Sequence, residues 1–176
     1  LYPAVRGIDI SDCIADNVTL STMHGCPPGE SEKIGLYLLN ERKLHTTIKL
    51  NPTLLGPERL RGLLNGSLGW DIHVPDQAFA HDLKYDAALD LLRSLGAAAA
   101  RNGLNFSVKL TNTLECLNER SLLPASEKTV YMSGRPLLPL AVALARRLQD
   151  DLKGELDITF SAGADCFNAA ELLACG

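Results

Sequence analysis

A chain of 176 residues with 46% hydrophobic and 22% charged side chains has the length and composition of one globular domain with a buried core. Its net charge of -4, from 17 basic and 21 acidic residues, argues against nucleic acid or a membrane surface as partner, since both usually call for a basic excess. No apolar stretch approaches the roughly 20 residues that span a bilayer.

The N-terminal Leu1-Tyr2-Pro3 carries neither an initiator methionine nor a signal-peptide layout and reads as a cut from a longer chain. The five cysteines (Cys13, Cys26, Cys116, Cys166 and Cys175) form no C-x-x-C pair. That spacing argues against a disulfide framework or a zinc site and fits a reducing cytoplasm. The plain reading of each thiol is a small buried hydrophobe.

Short β-like runs alternate with helix-like runs, the signature of parallel βα units. The first strand is expected at Val18 to Thr22, followed by a helix opening near Pro28 and carrying Ile34, Leu36 and Leu39. A second strand covers Thr46 to Leu50, and Pro57 opens a short helix bearing Leu60, Leu63 and Leu64. A third strand is expected at Trp70 to Val74, then a long helix from Tyr85 to Arg101 that ends at Asn102-Gly103. The fourth strand is Phe106 to Leu110, and Leu114 to Thr129 reads as a long polar loop. Pro136 opens a helix to about Gln149, the fifth strand is Asp157 to Phe160, and a last helix starts near Asn168. Periodicity alone fits either an open doubly wound sheet or part of a (β/α)8 barrel, which needs eight strands and about 250 residues.

Polar and glycine-containing segments follow the strands, on the edge that holds the ligand in both architectures. After the first strand comes Ser21-Thr22-Met23-His24-Gly25-Cys26-Pro27-Pro28, which places a thiol before a helix N-terminus. That thiol is either a proton donor and acceptor beside a redox cofactor or a structural cysteine in a stiff turn. Lys49-Leu50-Asn51 and Lys109-Leu110-Thr111-Asn112-Thr113 put an ammonium group within each of two apolar strands. There it either stabilises negative charge on a ligand or snorkels to the rim. Ser133-Gly134 and Ala162-Gly163 are small enough for backbone N–H groups to reach a phosphate, although such pairs are more often plain turns.

In order, the Cys-Pro loop, Lys49-Leu50-Asn51-Pro52, Thr111-Asn112-Thr113, the long loop, Ser133-Gly134 with Pro139 and the Gly163 strand end resemble the flavin barrel of dihydropyrimidine and dihydroorotate dehydrogenases. The variants present here are similar to the selenate reductase subunit family, large bacterial iron–sulfur flavoproteins that contain such a barrel. The resemblance covers nearly the whole chain and is strongest from Val108 to Gly163.

It implies an α/β fold, a partial (β/α)8 TIM barrel with about five βα units. Residues 1–176 would form an incomplete FMN-type domain within a longer polypeptide. It implies FMN at the barrel mouth and hydride transfer between FMN and a small ring substrate. Electrons would pass to iron–sulfur centres elsewhere in the protein, where FAD or NAD(P) sites would also lie. Partners would be the rest of the polypeptide and a redox subunit.

By the same resemblance Cys26 is the acid/base cysteine, with His24 beside it. Lys49 or its rival Lys109 meets the flavin, while Asn51, Asn112 and Thr113 contact substrate. Ser133, Gly134, Ala162 and Gly163 lie near the flavin phosphate. Two features depart from the pattern. Met23 and Gly25 stand where the related dehydrogenases carry Asn-x-Ser, so pyrimidine reduction loses part of its reading set. The stretch from Trp70 to Arg101 also reads as an extra βα unit between the lysine strands. A barrel kept as a non-catalytic scaffold in an electron-transfer complex is the main alternative. A lyase or aldolase using either lysine as a Schiff base is a weaker one.

Overall fold

A computed structural model describes residues 7–21 and 27–174. Its centre is a four-stranded parallel sheet of β1 (Asn17–Leu20), β2 (His45–Leu50), β3 (Phe106–Leu110) and β6 (Asp157–Phe160), hydrogen-bonded in that order. Between β3 and β6 the chain forms a separate antiparallel ribbon, β4 (Leu114–Leu117) and β5 (Thr129–Met132). The helices are α1 (Pro28–Asn40), α2 (Pro57–Arg61), α3 (Asp76–His81), α4 (Tyr85–Asn102), α5 (Leu138–Asp151) and α6 (Ala169–Ala174). This is the α/β architecture of a partial barrel.

Residue type alternates along each strand. Val18, Leu20, Ile48, Leu50, Val108, Leu110, Ile158 and Phe160 occupy one face; Asn17, Thr19, Thr47, Lys49, Ser107, Lys109, Asp157 and Thr159 occupy the other. Parallel sheets covered on both sides read as continuous apolar runs. Alternation here means that helices cover only one face. On that face Ile48, Leu50, Val108 and Leu110 are at most 3% exposed.

The long helix α4 supplies much of the cover. Ala88, Leu91, Leu92, Leu95, Ala98 and Ala99 form its buried stripe at helical spacing. Each leucine contributes about 1.5–3 kcal/mol by leaving water. Asp86 in the first turn and Arg101 in the last suit the helix dipole, and Gly103, at φ 66°, ends the helix in the left-handed conformation. Helix α1 packs on α4 so closely that a Cβ at Gly35 would lie 2.8 Å from Leu95.

Trp70 to Val74 is not a strand. β2 and β3 pair directly, so no slot is left between them and no extra βα unit separates the lysine strands. The apolar alternation is real and has another use. Val74 is 3% exposed, Asn65 Nδ2 donates to the Trp70 and Ile72 carbonyls, and Leu117 N–H donates to His73 O. The segment turns tightly at Trp70, whose carbonyl accepts from Ile72 N–H, lies against the ribbon, and is tied down by a His73–Glu119 hydrogen bond and an Arg120–Asp71 ion pair. The expected five parallel strands are therefore four among the described residues.

The expected loop from Leu114 to Thr129 carries paired strand ends: Leu114 faces Met132 and Leu117 faces Thr129. Its tip is held by Asn118 Nδ2, which donates to the Leu123 and Glu127 carbonyls. The short helix α3 had no strong sequence signal. Of the cysteines in the described residues, Cys116 is buried as expected, whereas Cys13 and Cys166 are exposed. No helix among the described residues is long and apolar enough to cross a membrane.

Candidate functional site

Parallel strands bring their C-terminal ends to one edge, and the side chains singled out from the sequence gather there. Lys49 and Lys109 are Cα partners on the adjacent strands β2 and β3. In a parallel pair such partners share a face, so both project from the uncovered, polar side of the sheet. Neither has a side-chain hydrogen bond or ion pair among the described residues, and both are half-buried. One rung below, Thr47 Oγ1 and Ser107 Oγ are 2.8 Å apart.

The cross-strand bonds continue beyond the last strand residues. Asn112 N–H donates to Leu50 O at 2.8 Å, and Ser161 N–H donates to Leu110 O at 2.7 Å. Asn112 Nδ2 donates to Asn51 Oδ1 at 2.7 Å, and Ser21 Oγ donates to Asn112 Oδ1 at 3.2 Å. Asn51 and Asn112 thus form one amide pair at the tips of the lysine strands, with Ser21 from the end of β1. Ser161 Oγ donates to Thr111 O at 2.9 Å. Thr113 is half-buried in the short link to the ribbon.

The loop after β2 is fixed from below. Arg147 on α5 donates to the carbonyls of Leu54 and Leu55, and its guanidinium lies 3.4 Å over the Tyr85 ring. Thr53 Oγ1 donates to the buried Asp82 carboxylate at 2.6 Å. These anchors hold Asn51 in place without using its own side chain.

The two glycine turns are neighbours. A Cβ at Gly163 would meet Leu138 Cβ at 2.7 Å and Arg135 O at 3.1 Å, so the turn after β6 presses against the start of α5. Arg135 also pairs with Asp165 across the same junction. The Phe167 amide first, and then the Arg135 guanidinium, hold the Asp165 carboxyl below the usual carboxylate range. Gly134 differs: at φ 72° its missing Cβ would face open space. Gly134 therefore sits at an open turn, its carbonyl accepting from Leu137 N–H at 3.0 Å, and Gly163, beside the 3% exposed Ala162, is a packing glycine. Ser133 precedes Gly134 in an exposed stretch.

Cys26 and His24 lie outside the described residues. Of the other expected residues, Lys49, Lys109, Asn51 and Asn112 come together at the ends of β2 and β3. Ser133, Gly134, Ala162 and Gly163 form a second group at the ends of β5 and β6. Ser21, Ser161, Arg135 and Asp165 lie in the strand-end segments singled out from the sequence, but their contacts with Asn112, with Thr111 and with each other were not expected. Their position just past strand ends was the available signal.

A parallel sheet covered by helices on one side, with polar groups at its C-terminal strand ends, fits part of a (β/α)-barrel domain. The chain belongs to the family described as "Oxidoreductase YgfK, N-terminal TIM-barrel domain", whose model matches residues 4–176. It is 46% identical over 155 residues to the protein named "Putative oxidoreductase YgfK" of Escherichia coli strain K12, an alignment that covers 88% of this chain and 15% of the relative. The protein of the same name from Escherichia coli O157:H7 matches with the same identity and coverage. The chain thus spans about 15% of the length of the curated relatives it matches. No solved structure matches it.

Proposed function

We propose that this domain is the flavin-binding barrel of an oxidoreductase, with FMN at the C-terminal rim and a small planar ring as substrate. The observation that carries the reading is the pair of ammonium groups, Lys49 and Lys109, on the uncovered sheet face without a side-chain partner among the described residues. Half-buried cations in that position suit a ligand edge that gains negative charge. Gly134 adds open backbone of the kind that accepts a phosphate.

When bound, FMN supplies two-electron chemistry with a reduced carbon centre of the substrate. Lys49 would help hold the cofactor and stabilise negative charge that develops on it. The Asn51–Asn112 pair orients the planar substrate, and Thr113 borders it. Cys26 takes the proton that leaves the substrate carbon next to the hydride-donating one, and returns it in the reverse direction. His24 stands beside it in sequence and replaces part of the missing Asn-x-Ser hydrogen bonding. Iron–sulfur centres elsewhere in the polypeptide would serve as the electron acceptor.

The test uses a full-length family member carrying this domain. Acid release of about one FMN per chain is expected, with Lys49→Met weakening FMN binding about tenfold or more. A protein that releases no flavin would overturn the reading. Met23 and Gly25, which replace the Asn-x-Ser of the related dehydrogenases, favour the second reading of a non-catalytic scaffold. Assembly of the full protein with its redox partners in the absence of flavin would support that alternative.

A further inference from the structure

The β4–β5 ribbon and the facing segment at residues 70–73 border a cleft of about 480 Å³. Its lining is apolar and aromatic: Cys116, Val130 and Met132 come from the ribbon, Trp70 and Ile72 from the segment. Two polar contacts bridge the rim, the His73–Glu119 hydrogen bond and the Arg120–Asp71 ion pair. Those four are the acidic and basic side chains of the lining among the described residues, and each already has a partner inside the domain. Apolar surface continues past the cleft. Leu122 at its lip is 73% exposed, Leu123 beside it 45%, and Tyr131 on the ribbon 56%. A ligand of the cleft's size leaves Leu123 in water. An apolar centre with a polar rim is the anatomy of a protein interface.

Completion of the barrel does not cover this patch. The open edges of the sheet are β1 and β6, where further strands add. The cleft is built instead from the connections that follow the two central strands, β2 and β3. The 155 matched residues are 15% of each curated relative, so even a complete barrel of about 250 residues leaves most of such a polypeptide over. We infer that the ribbon cleft is the docking surface for another domain of the same polypeptide, which places an apolar or aromatic side chain in the cleft and covers Leu122 and Leu123. The tie is apolar rather than ionic, because the rim's charges are paired before docking. It uses no strand-end residue and does not depend on the flavin reading.

The test replaces Leu122 with the photo-crosslinker p-benzoylphenylalanine in a full-length family member carrying this domain and maps the adducts by peptide mass spectrometry. The main adduct should join position 122 to a peptide of the same chain outside the barrel. Molar salt should change its yield by less than about twofold. Leu123→Glu should cut the yield about tenfold or more and Leu123→Met should keep it, far-UV circular dichroism showing that both variants fold. A main adduct within the barrel, to a second copy at doubled mass, or to a small molecule alone would overturn the inference. So would the absence of any adduct, a yield lost in molar salt, or a yield that Leu123→Glu leaves unchanged.

Discussion

Gly163 and Leu138 touch with no space for a side chain: a Cβ on the glycine would fall 2.7 Å from the leucine Cβ. The contact locks the turn after β6 against the first residue of α5, and Gly163 also holds φ at +80°. Gly163→Ala should therefore destabilise the domain by about 2–4 kcal/mol, from overpacking and backbone strain together. Gly134→Ala meets open space and carries strain alone, about 1–2 kcal/mol. Urea unfolding of the two variants checks the order; equal losses would remove the packing role.

Without ligand, the Lys49–Lys109 rung is a net repulsion. Lys109→Met should raise unfolding stability by roughly 0.5 kcal/mol at low salt, and the gain should vanish near molar salt. A loss of stability at low salt would reveal a partner for the ammonium and contradict an unpaired lysine.

Asn112 makes two side-chain bonds, to Asn51 and from Ser21. Asn112→Ala should cost about 1–2 kcal/mol and speed amide exchange at residues 51 and 112 more than in the sheet centre. Uniform exchange across the sheet would show that the pair does not order the rim.

Burial pushes the Cys116 thiol from 9.0 up to about 11, partly offset by a backbone hydrogen bond from Met132. A raised acid pKa means that the folded state keeps its proton where the unfolded chain has lost it. The stabilisation from a buried neutral thiol is then whole below pH 9 and is lost as pH rises from 9 toward 11. Cys116→Ala should flatten that alkaline decline. At pH 8, Ellman's reagent should label the exposed Cys13 and Cys166 while Cys116 resists. Rapid labelling of Cys116 in the folded protein would contradict its burial.

The 176-residue chain alone should bind FMN poorly, because the four parallel strands among the described residues are half of the eight that close a barrel. Equilibrium dialysis that finds tight, stoichiometric FMN would reverse this expectation.

How far the sequence could be read follows from physical range. The strand over Phe106–Leu110, the strand over Asp157–Phe160 and the helix from Tyr85 were legible because local periodicity and the Gly103 stop carry them. Trp70 to Val74 misled because alternation reports which side of an extended segment is buried. It does not report whether a neighbouring backbone is free to pair. The ribbon ends at Leu114 and Thr129 were read as loop because their pairing spans a polar tip with no tight-turn signal.

Residue type alone determined that the chain is α/β and that two strands carry a lysine with an amide just past the strand end. Only the tertiary structure decided that β2 and β3 are neighbours, and with it that Lys49 and Lys109 share a rung and that Asn51 reaches Asn112. Strand order depends on which long connections close, a non-local balance of chain entropy and packing that periodicity cannot encode.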